Sequence, residues 1–550
     1  MIGKEEVIKI LKKEGLPPDI LETPPSPEIG DFALPCFTLA KVYKKSPQEI
    51  AKDLAIKIKP RGHVSKIEAN GPYLNFFIDK EYVAKTIIES KRKKPKVKKT
   101  ILVEFSSPNV MKPFSIPHLR STMIGNAIAH LYTFLGYRVV RINHLGDWGT
   151  QFGKMGYAFE AWGNEKELRT NPFGHMLKLY TKFHTAAEKN SKLEDAARAW
   201  FARLEKGDKK QRALWKKFRT LSLKEYAKIY TKLHIRFDSY AGEAFYEPYL
   251  KQTIDLVKKK GFLKESEGAF IVDLEPYGLT PCILQKADGS SIYATRDLAA
   301  AIYRYKKYRF DENLYIVDTR QSLHFQQVFK IIDLLGYPWG NSCKHIPFGI
   351  MTFQDEIMST RKGTVILLED VLDEATALVA KIIQKKNPKL KNKKKVAEDV
   401  GISAVIFWDL SHDRTNDIAF SWEKVLDFNG ETGPYVQYTY ARAASILRKA
   451  KKMGRPDYAK LTVPIEQELL RELAAFEETV QKAAHNYKPS ILAKYVITVC
   501  QRFNEFYQQC PCIQEKDKTL AAARLRLVNK TKEVIRTSLT LLGMSTPEQM

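Results

Sequence analysis

The stretch Lys112-Pro113-Phe114-Ser115-Ile116-Pro117-His118 sets a lysine, a hydroxyl and an imidazole just ahead of a run with helical character. Unpaired N–H groups and the dipole at a helix N-terminus favour phosphate, and here His118 can donate to a phosphate oxygen while Lys112 neutralises one. Tyr293 and Asp297 stand four apart at a strand-to-helix junction, a spacing that lets a phenol and a carboxylate face one site. Taken singly, each has a plainer reading: Asp297 as a helix cap or surface carboxylate, Tyr293 as a packing residue. Further on, Met358-Ser359-Thr360-Arg361-Lys362-Gly363 concentrates hydroxyls and two cations, although alone it is no more than a glycine-ended basic turn.

The elements that must position these residues follow an alternating pattern. Ile101-Leu102-Val103-Glu104-Phe105 reads as a buried strand, followed by a polar loop and a helix over about 117–135 that Gly136 stops. Arg138-Val139-Val140-Arg141-Ile142 is the next strand, ending in Asn143-His144-Leu145-Gly146-Asp147-Trp148-Gly149. Strand, loop, helix, strand is the unit of a parallel nucleotide-binding sheet. The pattern is expected to recur where Ser291-Ile292-Tyr293 runs into a helix near Arg296, and where Leu314–Asp318 runs into a helix near Ser322. Ligands collect beyond the carboxyl ends of strands in such sheets, so the three loops are expected to carry the chemistry.

At 550 residues the chain exceeds one hydrophobic core, and three or more domains are expected. Ninety Lys+Arg against 63 Asp+Glu leave a net charge of +27, which suits a polyanionic partner and equally suits general solubility. The six cysteines are scattered, and Cys510-x-Cys512 without a second pair is a poor metal site, so reduced thiols and no structural zinc are expected. No apolar run approaches the ~20 residues of a membrane span. A soluble cytoplasmic protein, with no membrane or DNA partner, is expected.

The string "EFSSPN", "KPF", "HLRST" and its continuation "RINHLGDWGTQFG" resemble the arginine–tRNA ligase form of the class I aminoacyl-tRNA synthetase motif with a His-x-Gly-His core. The resemblance implies ATP-dependent activation of L-arginine, with Mg²⁺, and transfer to tRNA(Arg) by a chain expected to be a monomer. It makes Tyr293 and Asp297 the guanidinium readers, with Glu104, Ser107, Pro108, Asn109, His118 and Gln321 completing the arginine site. It places ATP against Ser115, Pro117, His118, His324, Met358 and Ser359, and makes His118, Lys112, Ser115, Arg361 and Lys362 the catalytic groups. A guanidinium is planar and permanently charged, so a carboxylate placed for paired bonds suits it.

Two departures stand out. Ser115 replaces the first His of the core and Pro117 its Gly. Pro117 suits a first helical position, yet it adds bulk where adenine should lie, and Ser115 is a shorter donor, so weaker ATP binding or slower activation is expected. The later basic turn resembles the Lys-Met-Ser-Lys-Ser loop, with Ile357 and Thr360 in place of the lysines. Loops lacking them are common in the family, where the lysine of the first loop, here Lys112, takes their part.

Asn70, Tyr73 and Asn75, in "NGPYLNF", resemble positions of the family's N-terminal domain that contact the tRNA D-loop, where Tyr73 could stack a base. Tyr435 and Arg442 lie in what resembles the start of its helical anticodon-binding domain. The expected fold is α/β: a Rossmann-type parallel-sheet catalytic domain with a helical insertion, an N-terminal α+β extra domain and a C-terminal all-α anticodon-binding domain. The expected boundaries are 1–95, 96–355 with the insertion near 165–260, 356–420 as the signature-loop and connecting region, and 421–550. The alternatives are a catalytically degenerate synthetase-like RNA-binding protein and an unrelated basic nucleic-acid-binding protein.

Overall fold

The computed structural model describes residues 2–25, 28–92, 95–287, 292–353, 367–428, 430–450 and 454–550. In the first unit, β1 (Phe32–Pro35), β2 (Val64–Asn70) and β3 (Tyr73–Ile78) form an antiparallel sheet in the order β1-β3-β2. Helices α1 (Lys4–Lys13) and α2 (Pro47–Lys57) cover it, the latter started by Pro47 and a Ser46/Glu49 capping box. Helix α3 (Lys80–Glu89) leads out towards the second unit.

The catalytic sheet is parallel, in the order β10-β9-β4-β5, with β4 at Thr100–Glu104, β5 at Arg138–Ile142, β9 at Glu312–Asp318 and β10 at Cys343–Phe348. Its inner strands are apolar runs because both faces are covered: Ile101, Leu102, Val103, Leu314 and Ile316 are all buried. Helix α4 (Ile116–Phe134) crosses from β4 to β5. It lies close on the sheet because a Cβ at Gly125 would come within 2.2 Å of the Phe105 Cβ. The chain leaves β4 towards β5 and leaves β9 towards β10, so the crevice beyond β4 and β9 is the switch point of the sheet.

The insertion is helical: α5 (Thr150–Trp162), α6 (Pro172–Lys189), α7 (Lys192–Glu205), α8 (Lys209–Lys232) and α9 (Glu243–Lys259). Aromatic and aliphatic side chains including Trp148, Phe152, Phe183, Trp200 and Phe218 give it a core of its own. An antiparallel sheet of β6 (Leu263–Ser266), β7 (Ala269–Val272) and β8 (Cys282–Gln285) follows.

Here one expectation is corrected. Ile292-Tyr293 does not end a strand of the parallel sheet: Tyr293 is the first residue of α10 (Tyr293–Tyr308), and the preceding strand, β8, belongs to the antiparallel sheet. A β-branched and an aromatic residue mimic a strand locally, but Ile292 is the extended residue that opens the helix. By contrast β9 runs into α11 (Ser322–Leu334) as expected.

After β11 (Met351–Phe353) the chain is mostly helical: α12 (Leu368–Lys386), α13 (Lys393–Ser411), then, past β12 (Ile418–Phe420), α14 (Gly433–Lys449), α15 (Pro464–Ala474), α16 (Phe476–His485), α17 (Pro489–Gln509) and α18 (Lys518–Leu541). α4 also packs against α13, α16, α17 and α18, so the helix that begins at the site ends against the C-terminal bundle.

Candidate active site

The loop between β4 and α4 is held in a shape most residues avoid. Ser106, Ser107 and Met111 have φ of 71°, 45° and 73°, a region costly for residues with a Cβ. Neighbouring elements fix it. Ser106 N donates to Ser121 Oγ at 3.0 Å, and its own Oγ lies 2.7 Å from the Tyr230 hydroxyl. From α8, the Tyr226 hydroxyl lies 2.8 and 2.7 Å from the carbonyl oxygens of Asn109 and Lys112, and Met111 N donates to Ser222 Oγ at 3.0 Å. The insertion therefore clamps the loop. Gly146, in the loop after β5, comes close to it as well, since a Cβ there would lie 2.2 Å from Asn109 Oδ1. Ser107 keeps a buried Oγ with no partner among the described residues, available to a ligand.

At the start of α4, Ser115 N donates to His118 Nδ1 at 3.1 Å. The ring therefore keeps its other proton on Nε2. Burial, opposed by the Ser115 backbone and aided by Lys112, pushes the imidazole down to about 4, so it is a neutral donor at pH 7. The Ser115 hydroxyl, 3.0 Å from the same nitrogen, backs this arrangement. Lys112 Nζ rests 5.8 Å from the Tyr180 ring. Pro117 is the second residue of α4, and its side chain lies outside the described set. Met358, Ser359, Arg361 and Lys362, with Ile357 and Thr360, also lie outside the described residues. The residue that follows that segment, Leu367, bridges to Ser115, and Leu368 N donates to Phe114 O at 2.9 Å. The chain from Leu367 onward is thus tied to the loop that leads into α4.

Around Asp297 the structure gathers carboxylates and matches nearly all with resident cations. Arg304 Nη1 meets Glu104, Arg296 Nε lies 3.0 Å from Glu247, and Arg219 Nε lies 2.7 Å from Asp147. Asp297 accepts from His324 Nε2 at 2.6 Å. Burial raises the Asp297 carboxyl, but the hydrogen bond and charge of His324, with His144 and Arg304, outweigh it and hold the group below its usual range.

Two residues of the expected site have partners within the chain. Glu104 pairs with Arg304 through Oε2. His324, expected on the ATP side, lies 2.6 Å from Asp297 Oδ2. Tyr293 is 62% exposed at the rim, and Gln321 is exposed in the turn after β9.

One pocket residue was missed. Glu243, at the start of α9, is buried, and its Oε2 has no partner among the described residues. Burial pushes its carboxyl up to about 8; Arg296 opposes this, while Asp297, Asp147 and Glu247 reinforce it. It also acts electrostatically on Tyr293. A buried carboxyl without a partner beside Asp297 lacks a counter-charge, and a guanidinium carries one.

On the outer units, Asn70 is exposed and Tyr73 packs edge-on against Phe37 at 5.7 Å. Asn75 is 2% exposed, between Leu74 and Phe76 in the central strand β3, and so is not presented to a partner as expected. In the bundle, Tyr435 and Arg442 meet at Asn504, at 3.0 and 2.5 Å. Exposed Tyr438 and Tyr507 flank Arg442 at 4.9 and 5.8 Å, and their exposure adds them to that surface. The helical spacing of Tyr435, Tyr438 and Arg442 was the signal for the first of them.

A strained phosphate-type loop at the switch point of a parallel sheet, with a carboxylate pocket alongside, is the arrangement of class I aminoacyl-tRNA synthetases. The family model described as the class I (R) tRNA synthetase catalytic domain matches residues 81–422. The arginyl-tRNA synthetase N-terminal domain matches 4–78 and the DALR anticodon binding domain matches 436–550. The chain belongs to the arginyl-tRNA synthetase family. An arginine–tRNA ligase of Halothermothrix orenii is 47% identical over 543 residues, covering 96% of this chain and 95% of the relative. One of Clostridium perfringens is 47% identical over 542 residues, covering 96% of each. The solved Thermus thermophilus arginyl-tRNA synthetase superposes with a TM-score of 0.83 at 26% identity, covering 100% of this chain and 99% of that one.

Proposed function

We propose that the chain activates L-arginine with ATP and transfers it to tRNA(Arg). The observation that carries this reading is the pocket in which Asp297 and Glu243 stand together, one braced and one uncompensated, beside the loop that begins α4. A guanidinium placed there meets carboxylates in paired, charge-assisted geometry. A neutral isostere forms no ion pair with Asp297 and leaves buried Glu243 without a counter-charge, so discrimination is strong.

The reaction needs no covalent enzyme intermediate. An arginine carboxylate oxygen attacks the α-phosphorus in line; that P–O bond forms as the bond to the β-phosphate oxygen breaks, and diphosphate leaves. His118 Nε2–H donates to phosphate, Lys112 supplies positive charge and the α4 N-terminus adds its dipole. In the second step a terminal ribose hydroxyl of tRNA attacks the activated carbonyl and AMP leaves. In this reading Mg²⁺ arrives on the triphosphate as part of the nucleotide substrate. Asn70 and Tyr73 at one end, and Tyr435, Tyr438, Arg442 and Tyr507 at the other, are the surfaces offered to RNA.

Charging of total tRNA with labelled arginine, ATP and Mg²⁺, with lysine as the control, tests this. Arginine-specific charging is expected. A folded chain that binds tRNA but charges nothing would overturn the proposal in favour of a degenerate relative.

A further inference from the structure

Arg304 is a guanidinium, 1% exposed, built into the wall of a site that reads another guanidinium. It stands seven residues, two helical turns, beyond Asp297 on α10 and so shares its face. Its Nη1 meets the carboxylate of Glu104 at the end of β4. Its Nη2 lies 3.2 Å from His144 Nδ1. The rings of Tyr246 and Tyr315 stand 5.8 and 5.6 Å from the guanidinium carbon.

The contact with His144 has a directional consequence. A guanidinium only donates, so Nδ1 of His144 is the acceptor and the proton of the neutral ring sits on Nε2. That nitrogen faces Asp297 Oδ1 at 4.0 Å, while His324 holds Oδ2 at 2.6 Å. His144 also stacks on Tyr246, with ring centroids 5.6 Å apart, so its plane is fixed. The carboxylate that reads the substrate thus stands between two imidazoles, one of them oriented by Arg304.

We propose that Arg304 is a positioning residue for the arginine pocket, setting the orientation of Asp297 through His144 while neutralising Glu104; this rests on the arginine-activating function above. The role calls for arginine specifically. Buried Glu104 needs a counter-charge, and only a planar fork can serve Glu104 and His144 in two directions at once. The single ammonium of lysine keeps the charge but not both contacts.

The test compares Arg304→Lys, His144→Asn and their double variant in the full chain. It measures KM for arginine, ATP and tRNA separately, with arginine binding followed by calorimetry. Asparagine at 144 can still accept from Arg304 but does not reach Asp297. Each single variant is expected to raise KM for arginine by roughly 100-fold, as a misplaced contact does, with KM for ATP within about twofold. The double variant is expected to add little, because both changes cut the same contact. Should Arg304→Lys not fold, Glu104→Gln with Arg304→Met removes both charges of the pair and is expected to give the same KM split. Unchanged KM for arginine, a parallel rise for ATP, or additive effects in the double variant would overturn the proposal while leaving the function intact. A wild-type chain that neither binds arginine in the calorimeter nor charges tRNA would overturn both.

Discussion

His324 Nε2 stands 2.6 Å from Asp297 Oδ2, so the carboxylate proposed to read the substrate is braced from behind before any ligand arrives. Asp297→Asn keeps the shape and removes the charge. Hydrogen bonds to charged groups contribute about 1.5–3 kcal/mol each, so a lost guanidinium pair predicts KM for arginine raised by roughly 100-fold or more. KM for ATP should stay near wild type. Steady-state charging at varied arginine and varied ATP checks this, and an equal rise in both constants would assign Asp297 a structural part instead.

Glu243 makes arginine binding depend on pH. In the empty site its carboxyl holds a proton up to about pH 8, whereas an unfolded glutamate releases it near 4.3. Between those values the folded empty protein carries more protons than the unfolded chain, so this residue lowers stability as pH rises through the window. A bound guanidinium favours the ionised form. Arginine binding at pH 7 is therefore expected to expel about one proton and to strengthen towards pH 8. Calorimetry in two buffers of different ionisation enthalpy reads the proton directly. Glu243→Gln should abolish the release, and a variant that still releases it would remove Glu243 from the account.

His118 is expected to act as a neutral donor throughout the working range. Its imidazole is pushed down to about 4 and its Nδ1 is occupied by Ser115 N–H. Losing one such donor costs about 100- to 1000-fold in kcat, so His118→Ala should lose that much with little change in arginine affinity. His118→Gln, which can place an N–H near the Nε2 position, should recover part of it. If the wild-type rate profile showed a limb near pH 6.5 that vanished in His118→Gln, the neutral-donor assignment would be wrong.

What the residues disclosed in advance depended on whether the cue was local. The β4–α4–β5 unit was readable because an apolar run, a polar loop, a helix and Gly136 follow one another in about forty residues. Tyr293 misled because Ile292-Tyr293 has strand-like composition while its backbone opens a helix. Glu243 was invisible: it sits in the charged insertion, over fifty residues before Asp297, and only the packing of α9 against α10 brings the two together. Arg304 sits in Arg304-Tyr305-Lys306-Lys307, which reads as a basic surface, yet it is the residue turned inward. Asn75 erred the other way, because β3 is a central strand and its polar residue is enclosed with its neighbours.

A last prediction concerns the joint between the catalytic helix and the bundle. Arg120 on α4 is fully buried; its Nε lies 2.9 Å from Asp409 Oδ1 on α13, and its Nη1 donates to the carbonyls of Gly349 and Asn416 at 2.8 and 2.7 Å. One side chain thus joins α4, α13 and the segment leading into β11. Replacing it by methionine leaves Asp409 buried without a counter-charge, and burial already raises that carboxyl against the pull of Arg120. Breaking such a pair costs about 3–5 kcal/mol. Arg120→Met is therefore expected to lower the urea midpoint markedly, and Arg120→Met with Asp409→Leu to recover part of the loss, since no buried charge is then left alone. Recovery in the double variant separates stranded charge from lost packing. Were the double variant as unstable as the single one, the carbonyl contacts of Arg120, rather than its pairing with Asp409, would be what holds the catalytic sheet to the helical domain.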